Sequence, residues 1–177
     1  GGQGNTAPDA VAAADMAFSD WCGWHNDHGS LTGLVPAMFI NARGEEVPNP
    51  DPSAGLYIRS TTGTLVKVLL PPGSSSLAFQ IGETAQIHTG GILQATPHAV
   101  RGPSGQTAAG ISRETMAVFM EPEYSGEMTL PAGRTVEDVQ SGEAVKFLPS
   151  SVRTLASRWK PGMNFGEFSD ATFNTFY

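Results

Sequence analysis

The chain has 177 residues, 40% of them hydrophobic and 15% charged, with a net charge of -7, which suits one domain with its own apolar core and excludes a phosphate-binding surface built on Lys and Arg. Its 21 glycines and 13 prolines place turn signals too often for a helical bundle and predict a mainly β fold of many short strands. The single cysteine, Cys22, has no internal disulfide partner, and no apolar run reaches the length of a membrane span, so an intracellular, most simply cytoplasmic, protein with small-molecule rather than nucleic-acid or membrane partners is expected.

In chain order, residues 1–10 are rich in Gly, Asn, Thr and Pro and read as an arm, and the chain opens on Gly1 rather than Met, as a trimmed product of something longer would. Val11, Ala14, Phe18 and Trp21 fall at helical spacing behind a candidate cap at Asp9, predicting a short helix. Residues 1–20 are read together as a flexible arm or insertion remnant, and residues 21–177 as the domain. From Trp24 to Ile40 the pattern turns to strand, and Asn41 to Ala54, with Gly44, Pro48, Pro50 and Pro52, reads as a loop. Leu56–Ser60 and Leu65–Leu69 form a hairpin pattern through Thr61–Thr64, closed by Pro71-Pro72-Gly73. Ser76–Ile81 and Ala85–His88 alternate like two further strands about a Gly82-Glu83 turn, and Arg113–Met120 reads as the last strand. Thr135–Phe147 and Val152–Trp159 look helical or irregular, and the aromatics at 165, 168, 173, 176 and 177 read as packing.

The chemistry concentrates in Trp21-Cys22-Gly23-Trp24-His25-Asn26-Asp27-His28. Side chains alternate along an extended strand, so His25 and Asp27 point to one side. With His98 approaching from another strand, two imidazoles and a carboxylate form the set that leaves positions open on non-haem Fe(II). A zinc pair of His25 and His28 lacks further ligands at the usual spacing, because Cys22 is the only cysteine. His28 reads as a neighbour of the site or a solvent-facing residue, and His88 as a surface or core histidine. Arg113 carries the fork that grips a carboxylate through two parallel hydrogen bonds, and Thr115, two residues on, can add a hydroxyl. The plain alternative for Arg113 is a surface ion pair beside Glu114. Trp24, Tyr57 and Phe119 are candidate pocket walls.

His25-Asn26-Asp27-His28-Gly29-Ser30-Leu31-Thr32 resembles the His-x-Asp-x-x-x-Leu-Thr signature of the isopenicillin N synthase-like group of Fe(II)/2-oxoglutarate-dependent dioxygenases. Gly55–Arg59, Ile81–Gly91 and Ala95–Val100 are similar to that group's hairpin, its late turn and its second-histidine strand, and Arg113-Glu114-Thr115 is similar to its Arg-x-Ser/Thr element. The resemblance implies a double-stranded β-helix, a cupin-like jelly roll, with C-terminal helices. It implies metal ligands His25, Asp27 and His98, a 2-oxoglutarate grip from Arg113 and Thr115, and Fe(II), 2-oxoglutarate and O2 as cofactor and cosubstrates. The reaction implied is hydroxylation, or a related oxidation, of a small organic molecule, coupled to decarboxylation of 2-oxoglutarate to succinate. The family's domain has a longer front end than the stretch before His25, so association with a missing N-terminal part or another protein is expected, through exposed edges and apolar surface. A non-catalytic binding or assembly module that keeps the fold is the alternative.

Overall fold

The computed structural model describes residues 21–70, 75–141, 146–148 and 152–176. The expected helix at Val11–Trp21 and the Pro71–Gly73 turn lie outside these residues, save Trp21 itself. Ten short strands dominate: β1 (Cys22–His25), β2 (Leu31–Leu34), β3 (Met38–Ile40), β4 (Glu46–Val47), β5 (Gly55–Arg59), β6 (Leu65–Lys67), β7 (Ala78–Ile81), β8 (His98–Arg101), β9 (Ser112–Glu114) and β10 (Ala117–Met120). They form a four-stranded sheet ordered β1-β8-β5-β6 and two three-stranded sheets, β10-β2-β7 and β4-β3-β9, with every pairing antiparallel. The mainly β reading therefore holds. Among the described residues no helix is long and apolar enough to cross a membrane.

The hairpin pattern of residues 56–69 is realised as β5 and β6, and Gly63 at φ 78° takes the left-handed position its tight turn demands. Two expected strands are corrected. Ala85–His88 belongs to a helix, α1 (Glu83–His88), whose buried residues Glu83, Thr84 and Ile87 fall three and four apart on one face. The alternation of Ala85-Gln86-Ile87-His88 mimics a strand, but tertiary packing decides so short a segment, with Gly82 ahead of it and Gly90 and Gly91 behind it at positive φ. The run Arg113–Met120 is broken into β9 and β10, which join different sheets. Between them the Thr115 hydroxyl donates to the Val35 carbonyl at 3.2 Å and the Val35 amide to the Met116 carbonyl at 3.4 Å.

The tail carries two α-helices, α2 (Val136–Gln140) and α3 (Phe165–Phe176), and the stretch 152–159 is irregular around one 3-10 turn at Leu155–Ser157. Thr135 and Asp138 cap α2 reciprocally, and Asn164 and Glu167 exchange the same pair of side-chain-to-amide bonds at the start of α3, each at 2.9 Å. Ile87 from α1, Val139 from α2, Trp159, and Phe165 and Phe168 from α3 form the larger core. Of the aromatic stripe, Phe165 and Phe168 pack as expected, whereas Phe173 is half exposed. A smaller core of Trp24, Ala99 and Val152, with Tyr57 and Leu148 against it, lies behind the four-stranded sheet. The opposite face of that sheet looks into a cavity of about 790 Å³ lined from all three sheets.

Candidate metal centre

β1 and β8 are antiparallel neighbours, and their register sets His25 opposite His98, with a bulge between Cys22 and His25. Asp27 follows the end of β1. The two imidazole rings lie 4.1 Å apart between centroids, and Asp27 Oδ1 is 3.7 Å from His25 Nε2 and 3.6 Å from His98 Nε2. One donor atom from each of the three residues falls within 4.8 Å of the others, and this is the one such group among the described residues. His25, Asp27 and His98 are thus brought together as expected.

Each histidine uses its Nδ1–H on a main-chain carbonyl: His25 on Gly23 at 2.7 Å and His98 on Thr96 at 3.0 Å. A carbonyl can only accept, so each bond puts a proton on Nδ1 and turns Nε2 toward the cluster, which is how ligating histidines are oriented. The carboxylate is prepared in the same way. Its Oδ2 accepts from the Thr32 hydroxyl at 2.5 Å and from the Gln80 amide at 2.8 Å, leaving Oδ1 toward the imidazoles. The Gln80 amide also lies 2.9 Å from both ring nitrogens of His98, and a cation held by Nε2 would displace that contact without needing the bond to Asp27 to break.

The two imidazoles differ in their proton affinity. Burial lowers that of His25, but hydrogen bonds to the Cys22 thiol and the Gly23 carbonyl and the charges of Cys22 and Asp27 outweigh it, so its pKa is pushed up to about 9. Burial and the neighbouring His25 pull His98 down to about 4. His98 is therefore a neutral donor at neutral pH, and a cation bound at His25 releases a proton.

The loop that carries Asp27 is clamped by the start of α1. Glu83 N–H donates to the Asp27 carbonyl at 2.8 Å, Thr84 N–H to the Gly29 carbonyl at 3.1 Å, and the Thr84 hydroxyl to the His28 carbonyl at 2.6 Å. Gly82 must be glycine because a Cβ there would stand 2.1 Å from the Gly29 carbonyl oxygen. Beneath this clamp the Glu83 carboxylate, 1% exposed, meets Arg158, 4% exposed, at 2.6 Å, and Arg158 donates on to Thr172 of α3 at 3.0 Å. Burial pushes the Glu83 carboxyl up, against the pull of Arg158. His28 is no ligand: its ring stacks on Phe165 and shares a hydrogen bond with Ser169 at 3.2 Å, docking the loop on α3. His88 is an exposed residue at the end of α1.

Arg113 and Thr115 lie two apart and both line the cavity that holds the three metal-ligand candidates. Arg113 sits opposite Phe39 of β3, and its half-buried guanidinium has no carboxylate in ion-pair distance among the described residues, so the surface pair with Glu114 does not form. Burial lowers its pKa, yet a guanidinium remains charged. Phe119 lines the cavity too, whereas Trp24 and Tyr57 are corrected: strand alternation turns both into the small core on the other face. Thr32 was legible in the Leu-Thr pair of the signature. Gln80 and the Glu83–Arg158 pair carried no local signal, because each gains its role from a partner distant in sequence.

No family model matches the chain, and no curated protein matches it in sequence. Solved structures do match. A Neurospora crassa protein crystallised with alpha-KG and thymine superposes with a TM-score of 0.53 at 18% identity, over 88% of this chain and 37% of its own. A Caulobacter crescentus protein of the 2OG-Fe(II) oxygenase family gives 0.54 at 17% identity, over 88% of this chain and 40% of its own. The rice dioxygenase for auxin oxidation gives 0.54 at 18% identity, over 89% and 42%. The chain spans less than half the length of each of these neighbours. Built around a His-Asp-His cluster at the mouth of two paired strands, the chain shares its fold with the 2OG-Fe(II) oxygenases.

Proposed function

We propose that the chain is the catalytic part of an Fe(II)- and 2-oxoglutarate-dependent oxygenase of the isopenicillin N synthase-like group, with its sheets arranged as a jelly roll. The observation that carries this reading is the convergence of His25 Nε2, His98 Nε2 and Asp27 Oδ1, with the other polar atom of each residue held by a hydrogen bond. Two neutral nitrogens and one oxygen on one side of a divalent cation are the donor set of a non-haem Fe(II) site. Bound there, Fe(II) and 2-oxoglutarate supply the O2-dependent oxidation of a small organic substrate, with succinate and CO2 as coproducts.

The residues of this chain do the rest. The Gly23 and Thr96 carbonyls hold the imidazole planes, while Thr32 and Gln80 occupy Asp27 Oδ2 and would leave Oδ1 to hold the cation. Arg113, charged and without an acidic partner among the described residues, offers its fork to the far carboxylate of 2-oxoglutarate, and the Thr115 hydroxyl, which lines the same cavity, would add a donor by turning from the Val35 carbonyl.

Two measurements test the reading. Anaerobic addition of Fe(II) and then 2-oxoglutarate produces a weak visible charge-transfer band, which is absent in His25→Ala and needs much more 2-oxoglutarate in Arg113→Met. Succinate release under air then separates an oxygenase from a non-catalytic module with the same fold. A chain that gives neither band nor succinate is not an oxygenase by itself.

A further inference from the structure

The strand registers sort the cavity wall by face. Across the four-stranded sheet Cys22, Val100, Leu56 and Val68 form one row, since Cys22 pairs with Val100, Val100 with Leu56, and the Val68 amide bonds the Leu56 carbonyl at 2.9 Å. All four line the cavity, one row beyond His98. Phe39, Val47 and Arg113 form the facing row of the β4-β3-β9 sheet, and Leu34 with Ala117 that of the third sheet.

The polar residues along the same wall are committed elsewhere. Lys67 pairs with Tyr57, whose side chain packs in the small core, so it stands on the other face of β6, where its ammonium donates to the Pro52 carbonyl. Glu46 pairs with Ile40, one position out of the Phe39–Val47 row. Asn49 spends its amide on the Ala54 carbonyl at 3.3 Å and its oxygen on the Asp51 amide at 3.0 Å. Once His25, Asp27, His98, Thr32 and Gln80 are assigned to the metal and Arg113 and Thr115 to 2-oxoglutarate, the Cys22 thiol, a weak donor, is the one polar side chain left in these rows, while Glu46, Asn49 and Lys67 border the cavity from outside them.

We infer that the substrate is an uncharged, predominantly apolar molecule, seated against the Cys22–Val100–Leu56–Val68 row and recognised by contact area rather than by hydrogen bonds. The inference rests on the oxygenase reading, because that reading assigns the polar groups at the metal end. A substrate rich in hydrogen-bonding or charged groups would leave them unpaired against Leu56, Val68 and Val100, a cost that apolar surface escapes. Such a pocket separates apolar molecules differing by one methylene, or by one added hydroxyl, by only about ten- to two-hundred-fold, and disfavours charged molecules through their desolvation.

The test titrates the 177-residue chain with the uncharged apolar fluorophore N-phenyl-1-naphthylamine, alone and with Fe(II) and 2-oxoglutarate under nitrogen. Saturable one-site binding is expected, weakened by about five-fold in the isosteric Val68→Thr and by at least about ten-fold in Leu56→Asp. Lys67→Met leaves the affinity unchanged, and millimolar uracil, a polar heterocycle, does not displace the dye. Equal weakening in Lys67→Met, displacement by uracil, or full affinity in Val68→Thr overturns the inference. Val68 lies just past the edge strand β6, so its conservative variant keeps the question answerable even where Leu56→Asp fails to fold. An Fe(II) titration of the same samples keeps the two claims apart: dye binding as described without Fe(II) binding overturns the oxygenase reading alone, and Fe(II) binding with the wrong dye pattern overturns the apolar substrate alone.

Discussion

Asp27 shows how little a ligand's own identity decides. Its Oδ2 is held by Thr32 and Gln80, which face each other across β2 and β7, and only this leaves Oδ1 midway between the two imidazoles. Thr32→Val removes one of the two donors while keeping the shape, so Fe(II) affinity in anaerobic titration falls by roughly ten- to a hundred-fold with little change in melting temperature. Gln80→Leu acts on the same oxygen and on His98, and its loss is of similar size. The proximity of His25, Asp27 and His98 was anticipated by the resemblance of residues 25–32 and 95–100 to family motifs. The strand period that suggests His25 with Asp27 and Arg113 with Thr115 does not apply, since Asp27 lies past the end of β1 and Thr115 past the end of β9. Gln80 was not anticipated, because its role comes from a cross-strand partner and no spacing along the chain marks it. Trp24 and Tyr57 looked like pocket walls for a related reason: aromatic type says that a side chain is buried, and only the register says on which face.

At the scale of elements, α1 is the part that sequence pattern misreads and that the site depends on. Its first turn grips three consecutive carbonyls, of Asp27, His28 and Gly29, so the helix functions as a clamp on the ligand loop. Gly82→Ala drives a Cβ into the Gly29 carbonyl, and the expected loss is at least ~2 kcal/mol in chemical denaturation together with weakened metal binding. The Glu83–Arg158 pair ties the same clamp to α3. Arg158→Met leaves the buried carboxylate unpaired and costs about 3–5 kcal/mol, whereas the double variant Glu83→Leu with Arg158→Met recovers most of that loss. The loop before β5 has its own fastening: Asp51 accepts from Ser53 and Ser104 through both backbone and hydroxyl, which holds its carboxyl well below the ordinary value. A depressed folded value means that its contribution is present above the ordinary carboxylate pKa and is lost as pH falls through the lowered one. Relative to their intrinsic exchange rates, the Ser53, Ala54 and Ser104 amides accordingly lose protection as pH falls below the ordinary carboxylate range in the wild type, and that loss is smaller in Asp51→Asn.

Taken as a whole, the molecule packs one core among its helices and a smaller one behind the four-stranded sheet, and the opposite face of that sheet looks into a mostly apolar cavity with the His-Asp-His cluster on its wall. The mainly β class was readable from turn density and alternation. The division into three sheets was not, since the break at Thr115–Met116 follows from pairing with β3 on one side and β2 on the other. Phe119, at 61% exposure, and Leu69, at 80%, leave apolar surface at the cavity. The central claim is that this cavity wall is an iron site, and equilibrium Fe(II) binding under anaerobic conditions tests it most directly. The account predicts that the chain binds a single equivalent of Fe(II) and that Asp27→Ala and His98→Ala, folded by circular dichroism, do not. Fe(II) binding that is absent in the wild-type chain, or undiminished in Asp27→Ala, would contradict it.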